Sequence, residues 1–315
     1  MKSPLVSIII PVYNNEKTLD QTIKSALSQS YKNTEIIIID DNSSDSSAQI
    51  YNKYKSLIRI ESNNRNLGLY NCRINSLSYA KGSYIAFVDA DDWLDSHAIE
   101  SSIETALKLN GDITQMRVTR RVTKWNIPIG YNNKYDETQA LESCLYNDKL
   151  FPVSCWGKLY RLSLLKEIEF PQFNQFWGED RIFNLNAIYK ASKIAISENS
   201  IYNYRWGGLS YTRLELNDLE LYKNVFLFKS AWAIKNNYHN KIHLIQSELI
   251  SLLEYHLRRL LDSNRFSDNE ILNFISSELN NEFWADFKID KPHDIFNRNK
   301  HSLTRKLKRI IKSFL

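Results

Sequence analysis

Over the first hundred residues, short apolar runs alternate with amphipathic segments, and several of the runs end in small polar or acidic side chains. Ser7–Val12 is a β-branched run that reads as a strand. Asn14 and Asn15 offer an N-cap, and Leu19, Ile23, Ala26 and Leu27 then recur at helical spacing. Glu35–Ile39 holds four consecutive isoleucines, as a parallel strand buried on both faces requires, and is followed by Asp40 and Asp41. A helix carrying Ile50, Tyr51 and Tyr54 follows, then a short strand at Ile58–Glu61, a loop at Asn63–Gly68 and a helix through Ile74 and Leu77. After Gly82, Tyr84–Val88 is an aromatic-rich fourth strand that runs into Asp89, Asp91 and Asp92. This alternation predicts an α/β fold with an open, mostly parallel sheet flanked by helices. Ligands of such sheets bind at the carboxyl ends of the strands, where Tyr13-Asn14, Asp40-Asp41 and Asp89–Asp92 all fall.

The third of these clusters poses an electrostatic problem. Two carboxylates about 4 Å apart repel by roughly 4 kcal/mol at an effective dielectric near 20. Water, protonation or a cation relieves that repulsion. Mg²⁺ typically takes one or two carboxylates together with substrate phosphates. The cluster therefore reads either as a strand-end site for a metal and a diphosphate or as an acidic turn that caps a helix. Neither Gly-x-Gly-x-x-Gly nor Gly-x-x-x-x-Gly-Lys-Ser/Thr occurs in the chain, which disfavours phosphate cradles built on glycine loops.

Further on, Asp112–Val122 reads as a strand with Arg117, Arg120 and Arg121, Trp125–Asn133 as a loop, Asp136–Tyr146 as a helix and Ile194–Arg205 as a strand. Glu179 and Asp180 follow Gly178 and precede a helix carrying Ile182, Phe183, Leu185 and Ile188. They read either as acids complementing a helix dipole or as a general base for a weakly nucleophilic hydroxyl. Trp156 and Trp177 offer apolar faces to a sugar ring or to the core. From Asn217 the pattern turns helical, at Leu219–Lys235, Ile242–Leu261 and Asp268–Leu279, either an appendage or a homodimer surface.

Composition changes this picture in one place. The net charge of +5 is a property of the end of the chain: after Asp294 there are seven Lys or Arg and no Asp or Glu. Leu303, Leu307, Ile310, Ile311 and Phe314 share one side of a helical wheel, with Arg305, Lys306, Lys308, Arg309 and Lys312 opposite. A basic amphipathic helix of this kind reads as an anchor for an anionic membrane surface, with docking onto the protein as the alternative. No apolar run reaches the length of a membrane span. Leu5–Val12 is broken by Ser7 and Pro11 and lacks a small-residue cleavage site, so a cytoplasmic protein, peripheral on the inner face of the membrane, is expected. Cys72, Cys144 and Cys155 are too few and too scattered for a disulfide framework or a zinc site. No nucleic-acid partner is expected.

The segments VSIIIPVYNNEKTLDQTIKSALSQSYKNTEIIIIDDNSSD and NRNLGLYNCRINSLSYAKGSYIAFVDADDWLD follow one another with the order and spacing of a known family. From Val6 to about Asp95 the chain resembles the N-terminal half of glycosyltransferase family 2 enzymes of the bacterial cell-surface polysaccharide type. The resemblance implies a GT-A fold and a nucleotide-sugar donor, usually a UDP-sugar. It implies Mg²⁺ or Mn²⁺ on an Asp-x-Asp motif, and inverting transfer to a hydroxyl of a glycan or lipid-linked glycan.

On these terms Pro11, Tyr13 and Asn14 form the first nucleotide-contacting turn, Asp41 with Asp40 reads the base, and Arg73 lies near the donor phosphates. Asp89 and Asp91 are the Asp-x-Asp pair, with Asp92 an ambiguous neighbour as metal ligand, and Asp180 is the base with Glu179 beside it. Arg205, at the start of a glycine-containing loop, helps neutralise the diphosphate, and Trp156 and Trp177 fall on the acceptor side. The expected domains are 1–212 (nucleotide-sugar half 1–110, acceptor half 111–212), a helical region 213–300 and the basic helix 301–315. A nucleotidyltransferase would need a glycine- and basic-rich triphosphate loop that is missing here. The remaining alternative is a catalytically silent nucleotide-sugar-binding partner, against which intact acids at Asp91 and Asp180 argue.

Overall fold

The computed structural model describes residues 3–122, 125–128, 137–146, 152–171, 178–205 and 218–249, together with Leu252 and Glu270. The chain divides into two compact units, residues 1–209 and 210–315. The first unit is built on one sheet, whose first four strands are β1 (Val6–Val12), β2 (Thr34–Asp40), β3 (Arg59–Ser62) and β4 (Tyr84–Phe87). They lie in the order β3-β2-β1-β4 and are all parallel. Ile8, Ile9 and Ile10 are fully buried, as are Ile37 and Ile38, because helices cover both faces. Helices α1 (Leu19–Leu27), α2 (Ser47–Tyr51) and α4 (Ala98–Leu109) pack with Ile8, Ile10, Ile36, Ile38 and Val88 in one core. On the opposite face Phe87 makes edge and tilted ring contacts with Phe183 and Tyr160. α3 (Leu69–Tyr79) runs between β3 and β4. Gly82 admits the chain into β4: a Cβ there would lie 2.7 Å from the Ser7 nitrogen and from the Tyr84 carbonyl oxygen, closer than side chains tolerate.

Beyond β4 the sheet becomes mixed. β8 (Lys158–Arg161) lies antiparallel to β4 and to β6 (Ile113–Val122), and β6 runs parallel to β9 (Ile194–Arg205). β5 (Trp93–Leu94) closes onto β9, and β7 (Trp125–Pro128) pairs antiparallel with β6. The stretch expected as a loop from Trp125 thus begins as a strand: backbone pairing with β6 outweighs the local turn signals of Pro128 and Gly130. Among the described residues, three helices complete this half: α5 (Glu137–Leu145), α6 (Leu162–Lys166) and α7 (Glu179–Lys190). The three cysteines are buried free thiols.

In the second unit α8 (Asp218–Lys235) is followed by a 3₁₀ turn at His239–Lys241 and a helix over 242–249. Lys229 and Glu248 form a buried ion pair within it. No described helix is long and apolar enough to cross a membrane. The expected basic helix at 301–315 and most of the expected helices beyond Leu249 lie outside the described residues.

Candidate active site

The carboxyl ends of β1, β2 and β4 sit side by side, and each polar cluster has its own bonding pattern. At the end of β1, Pro11 is buried within the strand opposite Ile39, while Tyr13 is half exposed. Asn14 has φ +54°, and its side-chain oxygen accepts from the Ser44 amide at 2.8 Å, stitching the turn after β1 to the turn after β2. Asp40 accepts from the Ser43 hydroxyl (2.6 Å) and amide and from Tyr51 Oη (3.0 Å). Asp41 accepts from Asn63 Nδ2 and from the Leu67 and Gly68 amides, each at 2.8 Å. Both carboxylates are buried and serve as staples for the loops beside them.

The turn after β4 is held from behind. The Asp92 amide donates to the Asp89 carbonyl (3.0 Å), and the hydroxyls of Thr18 and Thr22 donate to the Ala90 carbonyl at 3.0 and 2.9 Å. Asp92 is 1% exposed; Tyr202 Oη donates to one of its oxygens and the Arg205 amide to the other, both at 2.7 Å. The carboxylate of Asp92, the ambiguous neighbour of the Asp-x-Asp pair, is thus buried and anchors the turn to β9. Tyr202 Oη also accepts from the Asp89 amide at 3.2 Å. Arg205 Nε donates to the Asp91 carbonyl, its Nη2 to Gln21, and its guanidinium stacks over Trp93 at 4.9 Å. Arg205 thereby clips the end of β9 to the acidic turn.

At the start of α7, Gly178 adopts φ +85°, a left-handed conformation that glycine takes without strain and that sets Glu179 and Asp180 on the first helical turn. Arg73, carried on α3 and 1% exposed, donates from Nη2 to Asp89 Oδ1 (2.8 Å) and from Nη1 to Asp180 Oδ1. Asn184, one turn on, donates to the Val153 carbonyl (2.8 Å) and to the Asp180 carbonyl (3.1 Å). Tyr160 Oη donates to Asn184 Oδ1, and buried Lys158 donates to the Pro152 and Ser154 carbonyls. These three side chains fix the 152–155 loop behind Trp156, whose indole lies flat on Tyr202 and Tyr204 with ring centroids 4.9 and 5.1 Å apart. Trp177 lies outside the described residues.

Crowding of carboxylates shows in their proton affinities. Burial, then repulsion from Asp89 and Asp91, pushes Asp92 up to about 9. Burial pushes Asp89 up to about 6; Asp180 and Asp91 add to the shift while Arg73 opposes it. Burial raises Asp91 as well. Glu179 is pushed up to about 7 by burial and by the charge of Asp180. Asp91 is the carboxylate of this turn whose side chain bonds to no other residue among the described residues, and Asp89 lies two positions away. A desolvated carboxylate with no side-chain hydrogen bond among the described residues, beside a second one, suits a hard divalent cation that completes its shell with phosphate oxygens and water. No cluster of three or more His, Cys, Asp or Glu side chains arranged to hold a metal occurs among the described residues.

Tyr202, Asn184, Lys158, Thr18 and Thr22 are site-supporting residues that the sequence reading did not single out. Tyr202 and Asn184 carry no local motif; a buried hydroxyl or amide facing a polar cluster is recognisable only once strands and helices are assembled.

Comparison with known proteins agrees with this architecture. The family model described as Glycosyl transferase family 2 matches residues 7–169. A protein of Borreliella burgdorferi named cholesterol galactosyltransferase is 31% identical over 79% of this chain and 82% of its own length. The poly(ribitol-phosphate) beta-glucosyltransferase of Bacillus spizizenii is 33% identical over 63% of this chain, which spans 32% of that longer relative. Among solved structures, S. aureus TarS 1–349 in complex with UDP-GlcNAc superposes with a TM-score of 0.65 at 20% identity, covering 86% of this chain and 78% of that one. The mixed, mostly parallel sheet with flanking helices is the expected GT-A fold. By the extent of the family match and of the near full-length relative, the chain belongs to glycosyl transferase family 2.

Proposed function

We propose that the chain is an inverting glycosyltransferase that moves a sugar from a UDP-sugar to a hydroxyl of a cell-surface glycan or lipid-linked glycan. The observation that carries this reading is the meeting of Asp180 and Asp89 on one guanidinium. A carboxylate from the first turn of α7 lies beside the acidic turn at the strand ends. Asp180 is a quarter exposed, open to an incoming hydroxyl, and accepts its proton. The hydroxyl oxygen bonds to the anomeric carbon on the side opposite the departing diphosphate, so an α-linked donor gives a β-linked product. Tyr13 and Asn14 border the nucleoside, and Trp156 borders the acceptor.

Asp91, with Asp89, would hold Mg²⁺ or Mn²⁺, which when bound supplies Lewis acidity toward the leaving diphosphate. The relatives named as transferring glucose to poly(ribitol phosphate) and galactose to cholesterol support the cell-surface reading, and the second keeps membrane lipids among the acceptors to test. A catalytically silent partner is disfavoured by the intact pair Asp91 and Asp180. The basic segment 301–315 is proposed to hold the enzyme on anionic membrane; removing residues 302–315 should release it from anionic vesicles, and continued sedimentation would refute the anchor.

Calorimetric titration with UDP-, GDP-, CMP- and dTDP-sugars, with and without Mn²⁺, tests the main proposal. Binding of a UDP-sugar that requires the metal is expected. Binding indifferent to metal, or binding of none of them, would overturn the donor reading.

A further inference from the structure

Arg73 is the side chain on which the two halves of the site converge, and its surroundings do not suit the phosphate contact that the family resemblance implies. It is 1% exposed, and both terminal nitrogens are bound to carboxylates, one from the turn after β4 and one from the first turn of α7, 107 residues further along the chain than Arg73. Its Nε–H is buried with no acceptor among the described residues. As a stabilising device this is poor. Desolvation of a buried guanidinium offsets much of its Coulomb gain, and apolar replacements of buried ion pairs are often neutral or better. An orphaned donor adds a further cost. Asp89 and Asp180 are about 21% and 25% exposed, so each carboxylate reaches solvent on one side while the guanidinium holds it from within. A planar carboxylate with one oxygen fixed on a guanidinium has the direction of its other oxygen fixed as well. Each carboxylate alone would turn toward water and away from the other by repulsion; a shared cation between them removes both tendencies.

We infer that Arg73 is a positioning residue that ties the base to the donor site. It holds Asp180 and Asp89 on one fork, so the oxygen that takes the proton and the turn that receives the sugar nucleotide keep one relative placement. This rests on the glycosyltransferase reading. In the step itself the acceptor O–H proton passes to Asp180 and the hydroxyl oxygen bonds to the anomeric carbon. The bond from that carbon to the diphosphate breaks, with its electron pair leaving on the diphosphate. Arg73 exchanges no proton. Lysine, a single point charge, can serve one carboxylate well but cannot reproduce the two-armed geometry.

Three readouts on the full chain test this. In thermal melts, Asp89→Asn combined with Asp180→Asn is expected to lower the midpoint by more than the sum of the single changes, because Arg73 is then left buried without a counter-charge. With Arg73→Met the same two changes are expected to add. Arg73→Met is also expected to lower kcat for transfer at least tenfold while the Kd for UDP with Mn²⁺ stays within threefold, and Arg73→Lys to recover part of the loss. Should Arg73→Met not fold, Arg73→Lys carries the test through its intermediate kcat at unchanged UDP binding. Additive melts whatever stands at position 73, or an unchanged kcat in either variant, would overturn the inference. An unaltered chain that fails to bind UDP with Mn²⁺ overturns the donor reading and this inference together, whereas failed coupling in a chain that binds UDP removes only the role of Arg73.

Discussion

Two acidic turns, each at the carboxyl end of a parallel strand, look alike in the sequence and differ in what surrounds them. Asp40 and Asp41 lie beside the loop 63–68 and the start of α2, and their oxygens meet backbone amides, a serine and a tyrosine. Donors outnumber carboxylates there, and the turn staples the loops beside it. Asp89, Asp91 and Asp92 crowd one turn, and Asp89 meets Asp180 across Arg73; burial and repulsion between acids push Asp89 and Asp92 up to about 6 and 9. Asp92 is tied down by Tyr202 and the Arg205 amide, Asp89 is shared with Arg73, and Asp91 is left with its side chain open among the described residues. A cluster of carboxylates thus becomes a candidate site where the fold supplies too few donors, not where the acids are most numerous.

Four substitutions press on that contrast. The largest effect is expected at the partner of the second turn. Asp180→Asn should reduce transfer by about 10²- to 10⁴-fold, the usual worth of a general base, with UDP affinity in Mn²⁺ preserved; substantial residual transfer would move the base elsewhere. Next, Asp41→Ala should cost about 2 kcal/mol in urea unfolding, since it takes the acceptor from the Leu67 amide and leaves the Gly68 amide only its 3.1 Å bond to Asn66 Oδ1. An unchanged urea midpoint would mean that water replaces the staple. Asp91→Asn should do the reverse, leaving unfolding nearly unchanged while weakening UDP binding in Mn²⁺ by about 10- to 100-fold. If Asp41→Ala and Asp91→Asn behaved alike in both assays, the contrast between the turns would collapse.

The smallest effect concerns pH. Glu179 binds its proton more tightly folded than unfolded, with its carboxyl at about 7 against an ordinary 4.5. Its contribution to stability is therefore fully present below 4.5 and lost as pH rises through 7. Glu179→Gln has no such loss, so its melting temperature relative to the unaltered chain should rise between pH 5 and pH 8. A constant difference across that range would show that Glu179 titrates normally.

The first half of the sheet was legible because its strands are buried on both faces and therefore written as uninterrupted apolar runs. β1, β2 and β4 stand where Ser7–Val12, Glu35–Ile39 and Tyr84–Val88 predict them, within a residue or two. The second half was less legible. β5 is two residues long, β7 carries a proline, and β8 begins with the fully buried Lys158, whose charge is paired with loop carbonyls. None of these has a periodicity long enough to register, since each owes its conformation to a neighbouring strand. The left-handed Gly178 before Glu179-Asp180 was visible as a helix start, yet nothing local distinguishes dipole-complementing acids from a base.

What local chemistry determined, then, was the strand–helix alternation, the edge at which polar groups gather and the residue types available there. These follow from burial periodicity and capping, which act over a few residues. Which carboxylates are staples and which stay open, that Arg73 is buried between Asp89 and Asp180, and that Tyr202 reaches the acidic turn were decided by the tertiary structure. The pairings of Arg73 with Asp180 and of Tyr202 with Asp92 join residues more than a hundred positions apart. Whether a polar group finds a donor, a like charge or nothing is a property of the assembled neighbourhood, and at these distances no local pattern encodes it.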